Sequence, residues 1–115
     1  TMMDIREAWG GAVAPFITQC NCQSHANPQT SAEFYKYGTF SDDPCWKCQM
    51  KCYLLMLNYM SPTGEVDVEM WAKSPYITLK IAKKCIDNLV EPDLCMKAYK
   101  MIKCAYEELA KQCPP

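Results

Sequence analysis

Residues 44–60 read PCWKCQMKCYLLMLNYM, and this stretch decides the predicted fold. Asp42 and Asp43 precede Pro44, which suits a carboxylate N-cap followed by proline in the first turn of a helix. No glycine or proline interrupts the run from there to Met60. We therefore predict a central helix over residues 44–60.

The central helix carries three cysteines on one face. Cys45, Cys48 and Cys52 stand at positions i, i+3 and i+7, which share one stripe of an α-helix. Cys48 and Cys52 lie one turn apart and cannot easily bond to each other across a regular helix. Each can instead reach a different neighbouring helix. The central helix is therefore expected to be tied to two other segments of the chain.

The composition is ordinary for a small globular protein, apart from its cysteines. The chain has 115 residues, of which 50% are hydrophobic and 22% are charged, and its formal net charge is -1. This balance offers no basic surface for nucleic acid, and the apolar runs are far shorter than the ~20 residues of a membrane span. We expect one domain over residues 1–115, with neither nucleic-acid binding nor membrane insertion.

The nine cysteines favour a disulfide framework formed in an oxidising compartment. The sequence begins at Thr1-Met2-Met3, and we take it as the mature form of a secreted, extracellular protein whose signal peptide has been removed. No Asn-x-Ser/Thr acceptor occurs, so glycosylation chemistry lends this expectation no support.

The remaining segments predict further helices with short connections. Apolar side chains over residues 4–20 recur every three or four positions, although Gly10, Gly11 and Pro15 weaken or kink this first helix, which ends at Cys20-Asn21-Cys22. Other helices are predicted from Thr30 to Gly38, over residues 66–73, from Ser74-Pro75 onward and from Leu94 to a stop at Cys113-Pro114-Pro115. No segment shows strand alternation. The predicted fold class is all-α, a compact bundle of about six helices braced by three or four disulfides.

Three residues separate Cys48 from Cys52, and eight separate Cys95 from Cys104. This spacing resembles the arthropod odorant- and pheromone-binding protein (PBP/GOBP) family. That family's signature has three residues between the second and third cysteines and eight between the fifth and sixth, as in Cys48-x3-Cys52 and Cys95-x8-Cys104. The helix after Cys52 and the turn at Gly64-Glu65-Val66 are also similar to the family's third helix and its following turn. The resemblance covers roughly residues 4 to 112.

The resemblance implies an interlocked set of three disulfides. Carried over residue by residue, the pairs are Cys22–Cys52, Cys48–Cys95 and Cys85–Cys104. Cys22 is preferred to Cys20 as the first member because seven residues then separate it from Thr30, and Cys20 stays an alternative. The extra cysteines are then Cys20, Cys45 and Cys113, and we expect a fourth bridge between two of them.

The resemblance also implies a function: a carrier of odorant- or pheromone-like small hydrophobic molecules in an internal apolar pocket. By position, Leu54, Tyr59 and Val66 match places that line the family's cavity, and the hydroxyls of Tyr59 and Tyr106 are candidates for orienting a ligand. The predicted ligand-binding residues all lie on apolar stripes, and they are Trp9, Phe16, Leu54, Tyr59, Met60, Val66, Trp71, Ile77, Ile81, Met101 and Tyr106. For any one of them, core packing without ligand contact is the competing interpretation.

The expected partner is a small apolar ligand, with a membrane receptor or a second copy of the chain as further partners. No cofactor or metal is expected. Zinc is the rival use for the cysteines, because Cys45-x2-Cys48 and Cys20-x-Cys22 have ligand-like spacing, but it gives no account of the other five. A mitochondrial protein with twin Cys-x9-Cys pairs is disfavoured because only Cys85-x9-Cys95 fits.

Catalysis is not expected. His25 is the only histidine, in a polar loop, where it is either solvated or a pH sensor, and no nucleophile–base motif surrounds it. Glu107 and Glu108 are expected on a solvated helix face. The alternative function is that of a secreted interaction protein, such as a salivary or defence factor, that uses the same fold without a ligand cavity.

Overall fold

A computed structural model of the protein describes residues 1–113, and its helices confirm the all-α fold class. The helices are α1 (Met2–Val13), α2 (Ile17–Ser24), α3 (Pro28–Tyr37), α4 (Pro44–Met56), α5 (Val68–Trp71), α6 (Leu79–Ile86) and α7 (Leu94–Gln112). A 3-10 turn, Ala14–Phe16, joins α1 to α2. Within the described residues the only β pairing is an isolated antiparallel bridge between Met60 and Val66. The stop predicted at 114–115 lies outside the described residues.

The central helix of the prediction is α4, and it begins where the sequence indicates. The Asp43 carboxylate accepts a hydrogen bond from the Cys45 backbone N–H at 3.0 Å, and Pro44 occupies the first turn. The helix ends at Met56 rather than at the predicted Met60, because the backbone N–H of Tyr59 turns back to the Leu54 carbonyl at 2.9 Å. Residues 57–59 of the predicted helix therefore lie in a turn, and Met60 forms the β-bridge.

The first predicted helix is divided at Pro15 and runs further than expected. Pro15 lies in the 3-10 turn, as its missing donor favours, and α2 continues to Ser24, where His25 takes a left-handed φ of 57°. The predicted end at Cys20–Cys22 is thus wrong. Both cysteines belong to α2, and residues two positions apart point to different sides of a helix.

This difference corrects the first disulfide. Cys20 is completely buried against α4 and bonds to Cys52, whereas Cys22 is exposed and free. The preference for Cys22, which is based on its spacing from Thr30, is wrong because α2 continues to Ser24 and α3 already begins at Pro28. The structure contains the other two implied bonds, Cys48–Cys95 and Cys85–Cys104.

The expected fourth bridge is absent from the described residues, where Cys22, Cys45 and Cys113 are free. Cys48 of α4 bonds to Cys95 at the start of α7. Cys113 follows Cys95 by eighteen positions, which is roughly 27 Å at 1.5 Å per helical residue. Cys45, one turn from Cys48, is therefore far out of reach of Cys113.

Two other predicted helix starts are corrected. Helix α6 begins at Leu79 rather than at Ser74-Pro75, because Tyr76 has a φ of 66° and the Thr78 hydroxyl accepts from the Ile81 N–H at 3.1 Å. Helix α3 begins at Pro28, not Thr30, because the Asn27 side chain accepts from the Gln29 N–H at 2.9 Å. In both cases a different polar side chain caps the helix.

The core forms two clusters on either side of α4. The larger one joins α1, α3, α4, α6 and α7, and its aromatic side chains meet edge to face, as in Phe34 on Phe40 with ring centroids 5.0 Å apart. The smaller one surrounds the Cys20–Cys52 bond and contains Val13 and Tyr53. Helix α4 contributes to both clusters and is the structural centre of the protein.

Candidate functional site

An apolar cavity lies where α1, α3, α4 and α7 meet the segment that connects α4 to α6. Its walls combine side chains from all of these parts of the chain. The lining consists of Trp9, Ala12, Val13, Phe34, Tyr35, Trp46, Met50, Tyr53, Leu54, Leu57, Tyr59, Trp71, Ser74, Ile77, Ile102 and Ala105. None of these side chains carries a formal charge, and the few polar atoms are the tyrosine and serine hydroxyls and the tryptophan N–H groups.

The cavity is small. Its volume is about 70 Å³, whereas pockets for drug-sized ligands have roughly 300–1,000 Å³. A ten-carbon ligand therefore requires lining side chains to move. Met50 suits such a movement because methionine is flexible and fills irregular gaps.

Helix α4 supplies the longest wall of the cavity. Trp46, Met50, Tyr53, Leu54 and Leu57 stand at i, i+4, i+7, i+8 and i+11, which is one continuous stripe of a helix and its C-cap. The disulfide-bonded Cys48 and Cys52 are interleaved with this stripe. The wall is thus fixed by the same helix that anchors two of the three disulfides.

A buried polar network stands behind Tyr53. Gln49 is 1% exposed, and its Nε2 donates to the Tyr53 hydroxyl oxygen at 2.8 Å and to the Asn21 side-chain oxygen. The Ser31 hydroxyl donates to Gln49 Oε1 at 3.4 Å. Burial raises the pKa of Tyr53, and the bond from Gln49 partly offsets that rise. Because the Tyr53 oxygen accepts from Gln49, its own proton is free to be donated to another group.

Tyr35 is the second phenol on this side of the cavity. Its ring edge packs against Gly10 of α1, where a β-carbon added to the glycine would lie 3.5 Å from the ring. Its hydroxyl makes no hydrogen bond within residues 1–113, and its oxygen is not fully buried. Burial raises the pKa of Tyr35, and the neighbouring Tyr53 phenol raises it further. The Tyr35 phenol therefore stays neutral throughout the physiological range.

One hydrogen bond joins two sides of the cavity wall near the surface. The indole N–H of Trp9 donates to the backbone carbonyl of Pro75 at 2.7 Å. Trp9 belongs to α1, and Pro75 lies between the lining residues Ser74 and Ile77. This bond holds α1 against the segment that precedes α6.

Five of the predicted ligand-binding residues line the cavity, namely Trp9, Leu54, Tyr59, Trp71 and Ile77. The other six lie elsewhere. Met101 and Ile81 are buried in the large core cluster, Met60 and Val66 form the β-bridge, and Phe16 packs on the small cluster. The Tyr106 hydroxyl accepts a hydrogen bond from Arg6 at 2.8 Å, outside the lining. Whether any of these eleven residues contacts a ligand stays a prediction.

Several lining residues are absent from the eleven predicted binding residues, including Tyr35, Trp46 and Met50, whereas Tyr53 falls in the predicted pocket wall of residues 53–60. The α4 members could have been found, because their three- and four-residue spacing is visible in the sequence. Tyr35 carried no such signal. It reaches the cavity only because α3 packs against α1 at Gly10.

The described residues contain neither a metal-binding cluster nor a membrane-spanning helix. Among them, no group of three or more His, Cys, Asp or Glu side chains is arranged to hold a metal ion. In the same part of the chain, no helix is long and apolar enough to cross a membrane.

The fold and the cavity define a class: small helical proteins, braced by three interlocked disulfides, with an uncharged internal cavity. The chain matches the PBP/GOBP family over residues 6–108. It therefore belongs to the PBP/GOBP family, as the cysteine spacing predicts. No curated protein matches the sequence.

The fold is also similar to a solved structure. It resembles the fatty acid binding protein OBP56a from the oral disk of the blowfly Phormia regina, with a TM-score of 0.64. The two chains are 17% identical, and the match covers 88% of this chain and 90% of the blowfly protein. At this level of identity the likeness establishes a shared fold.

Proposed function

We propose that this protein is a soluble extracellular carrier that binds small hydrophobic molecules in the cavity between α1, α3, α4 and α7. The observation that carries the proposal is an internal cavity whose sixteen lining side chains are all uncharged and mostly apolar or aromatic. Members of the PBP/GOBP family are binding and carrier proteins rather than enzymes, and the blowfly protein of the same fold is named for binding fatty acids.

The driving force for binding is the desolvation of apolar surface. A ten-carbon ligand gains on the order of 8 kcal/mol at ~0.8 kcal/mol per methylene. Lost translational and rotational freedom costs about 4–15 kcal/mol and offsets much of that gain. Displacing lining side chains from a cavity of about 70 Å³ adds to the cost. The net gain from ten carbons is then at most about 4 kcal/mol, which corresponds to a Kd of about 1 mM, and each further methylene adds ~0.8 kcal/mol.

An extracellular location is supported by the disulfides. Three bonds link residues 19 to 47 positions apart in the chain. Such bonds form and persist in oxidising compartments.

The test is uptake of the fluorescent probe N-phenyl-1-naphthylamine, followed by its displacement with 1-decanol. Ala105 is completely buried in the cavity wall, so Ala105→Leu places three more carbon atoms where the ligand would lie. We expect this variant to bind the probe at least about tenfold more weakly. Ala110→Leu is the matched control, since Ala110 is exposed on the same helix. Equal probe binding by folded Ala105→Leu and the original protein would place the binding site elsewhere.

The alternative is an interaction protein that uses the same fold without a ligand. The observation that favours it is the small volume of the cavity, about 70 Å³, which indicates a nearly filled interior. An absence of uptake for both the probe and decanol would favour this alternative over the carrier.

A further inference from the structure

Two tyrosine hydroxyls on one side of the cavity are not fully used by the protein itself. Tyr53 accepts a hydrogen bond from Gln49 but donates to no described residue, and the Tyr35 hydroxyl, whose oxygen is not fully buried, makes no hydrogen bond within residues 1–113. Both residues line the cavity, and both pack in or against the small cluster around the Cys20–Cys52 bond. Two O–H donors that no described residue accepts thus lie in a cavity whose lining is mostly apolar.

We propose that Tyr35 and Tyr53 form the polar recognition point of the cavity, and that they select neutral ligands with a hydrogen-bond acceptor, such as long-chain alcohols, over carboxylates. This inference rests on the carrier function proposed above. It assigns to that function a class of ligand and two residues that orient it. Tyr35 is not among the residues predicted for binding, and Tyr53 is predicted only as part of the pocket wall formed by residues 53–60.

The preference against carboxylates follows from the charges around the cavity. None of the lining residues is cationic. The only arginine in the sequence is Arg6, which contacts the backbone at Tyr35, and three of its five N–H donors are already used. It donates to the backbone carbonyls of Tyr35 and Lys36 at 3.1 and 3.3 Å and to Tyr106 at 2.8 Å. A carboxylate in the cavity would therefore lose its hydration without gaining an opposite charge.

The burial of the two phenols also favours neutral ligands over carboxylates. Burial raises the pKa of Tyr35 and of Tyr53, so this side of the cavity disfavours negative charge on its own side chains. The same desolvation acts on an ionised ligand. A neutral alcohol oxygen, in contrast, accepts from a phenol without any charge being buried.

The hydroxyl of Tyr53 is more strongly oriented than that of Tyr35, because it belongs to a hydrogen-bond network. Gln49 is held by Asn21 and Ser31, and its Nε2 occupies an acceptor site on the Tyr53 oxygen. The Tyr53 proton is thereby directed away from Gln49. Tyr35 has no such constraint and can rotate its proton to suit the ligand.

The experiment compares 1-decanol with decanoate by isothermal titration calorimetry at about pH 7.5, where decanoic acid is ionised. We expect decanoate to bind at least about 30-fold more weakly than decanol, since its charge would be buried without a partner. Tyr35→Phe and Tyr53→Phe should each weaken decanol binding about three- to tenfold, and should weaken binding of the naphthylamine probe less than binding of decanol. Tyr37→Phe is the control, because Tyr37 is exposed on the same helix as Tyr35 and lies outside the lining.

Decanoate binding as tight as decanol binding would overturn the inference while leaving the carrier function intact. Unchanged decanol affinity in both phenylalanine variants would do the same. If a variant does not fold, the inference is tested by comparing the affinities of the original protein for decanol and decanoate. A protein that binds neither the probe nor decanol refutes the carrier function, and this inference with it.

Discussion

Cys20 and Cys22 show how a shift of two residues changes the role of a side chain. Both lie on α2, but Cys20 is fully buried and bonded to Cys52, whereas Cys22 faces solvent. The family spacing is compatible with either residue. The choice depends on α2 continuing to Ser24, and this turns the side chain of Cys20, and not that of Cys22, toward α4.

The two cysteines should therefore differ in their effect on stability. Cys20→Ser removes a disulfide and is expected to lower the free energy of unfolding by about 2–5 kcal/mol. Cys22→Ser should change it by less than about 0.5 kcal/mol, as for other exposed sites. Urea denaturation measures both values, and peptide mapping without reduction should yield a Cys20–Cys52 peptide. A Cys22–Cys52 peptide in the original protein would contradict the structure.

Tyr35 should make the protein sensitive to alkaline pH. Its folded-state pKa is raised above the unfolded value of about 10 by burial and by Tyr53. A raised pKa contributes stability that is fully present below the unfolded pKa and is lost as pH rises from there toward the folded pKa. We expect the melting temperature to fall above about pH 10, and to fall less steeply in Tyr35→Phe. Tyr37→Phe, which changes an exposed phenol, should follow the original protein.

At the scale of elements, helix starts depend on which polar side chain reaches the first free N–H groups. Asp43 and Asp93 cap α4 and α7, and both starts are visible in the sequence. The start of α6 is not, because Ser74-Pro75 offers a stronger local pattern than Thr78. The chain takes the later start since Tyr76 turns through a positive φ and Ile77 is buried before the helix begins.

Substitution of the two hydroxyl residues distinguishes these starts. Thr78→Ala removes the hydroxyl that accepts from the Ile81 N–H and should cost about 1 kcal/mol of stability. Ser74→Ala should cost less than about 0.5 kcal/mol, because its side chain caps no helix in the described structure. Chemical denaturation of both variants provides the comparison. A larger loss of stability in Ser74→Ala than in Thr78→Ala would indicate that the helix begins at Ser74-Pro75 instead.

Glycines offer a second pair of matched substitutions. Gly64 has a φ of +91° in the turn after α4, and an added β-carbon would lie 2.6 Å from a methyl of Leu94. Gly64→Ala should therefore destabilise the protein by about 1–3 kcal/mol. Gly11 lies inside α1 with nothing within 4 Å of the place a β-carbon would take, so Gly11→Ala should stabilise by about 0.5–1 kcal/mol. Thermal denaturation should show a lower melting temperature for Gly64→Ala and a higher one for Gly11→Ala. Shifts of equal size and sign would contradict the two backbone conformations.

At the scale of the whole molecule, α7 is held by contacts with several elements. Cys95 and Cys104 tie it to α4 and α6, and the Lys97 ammonium donates to the Gly64 carbonyl at 2.6 Å. On its outer side, Glu108 accepts from Lys84 of α6 at 2.8 Å and from Lys111 at 2.7 Å. The expectation of a purely solvated Glu108 is thus incomplete, since this carboxylate joins two helices.

The Glu108 ion pairs predict an acid dependence of stability. The hydrogen bonds from Lys111 and Lys84 lower the pKa of Glu108 below its ordinary value of 4.5. A lowered pKa contributes stability above the unfolded pKa, and this is lost as pH falls through the folded pKa. Between about pH 5 and 3 the melting temperature should fall more in the original protein than in Glu108→Gln. Glu107→Gln, at an exposed residue without an ion pair in the described structure, is the control and should match the original protein.

Features that depend on neighbouring residues could be predicted from the sequence. These are the all-α class, the starts of α4 and α7, the division at Pro15 and the cysteine spacing that marks the PBP/GOBP family. Caps, prolines and apolar periodicity act within one or two turns, so they can be recognised without any knowledge of the fold.

The tertiary structure was needed to establish which of two cysteines bonds to Cys52 and which side chains surround the cavity. Six of the eleven predicted binding residues pack in or against the core clusters instead, because an apolar stripe has the same composition whether it faces a neighbour or a void. Tyr35 enters the wall through the packing of α3 on Gly10 of α1. Such placements depend on the ends and directions of helices far apart in sequence, and no local pattern encodes them.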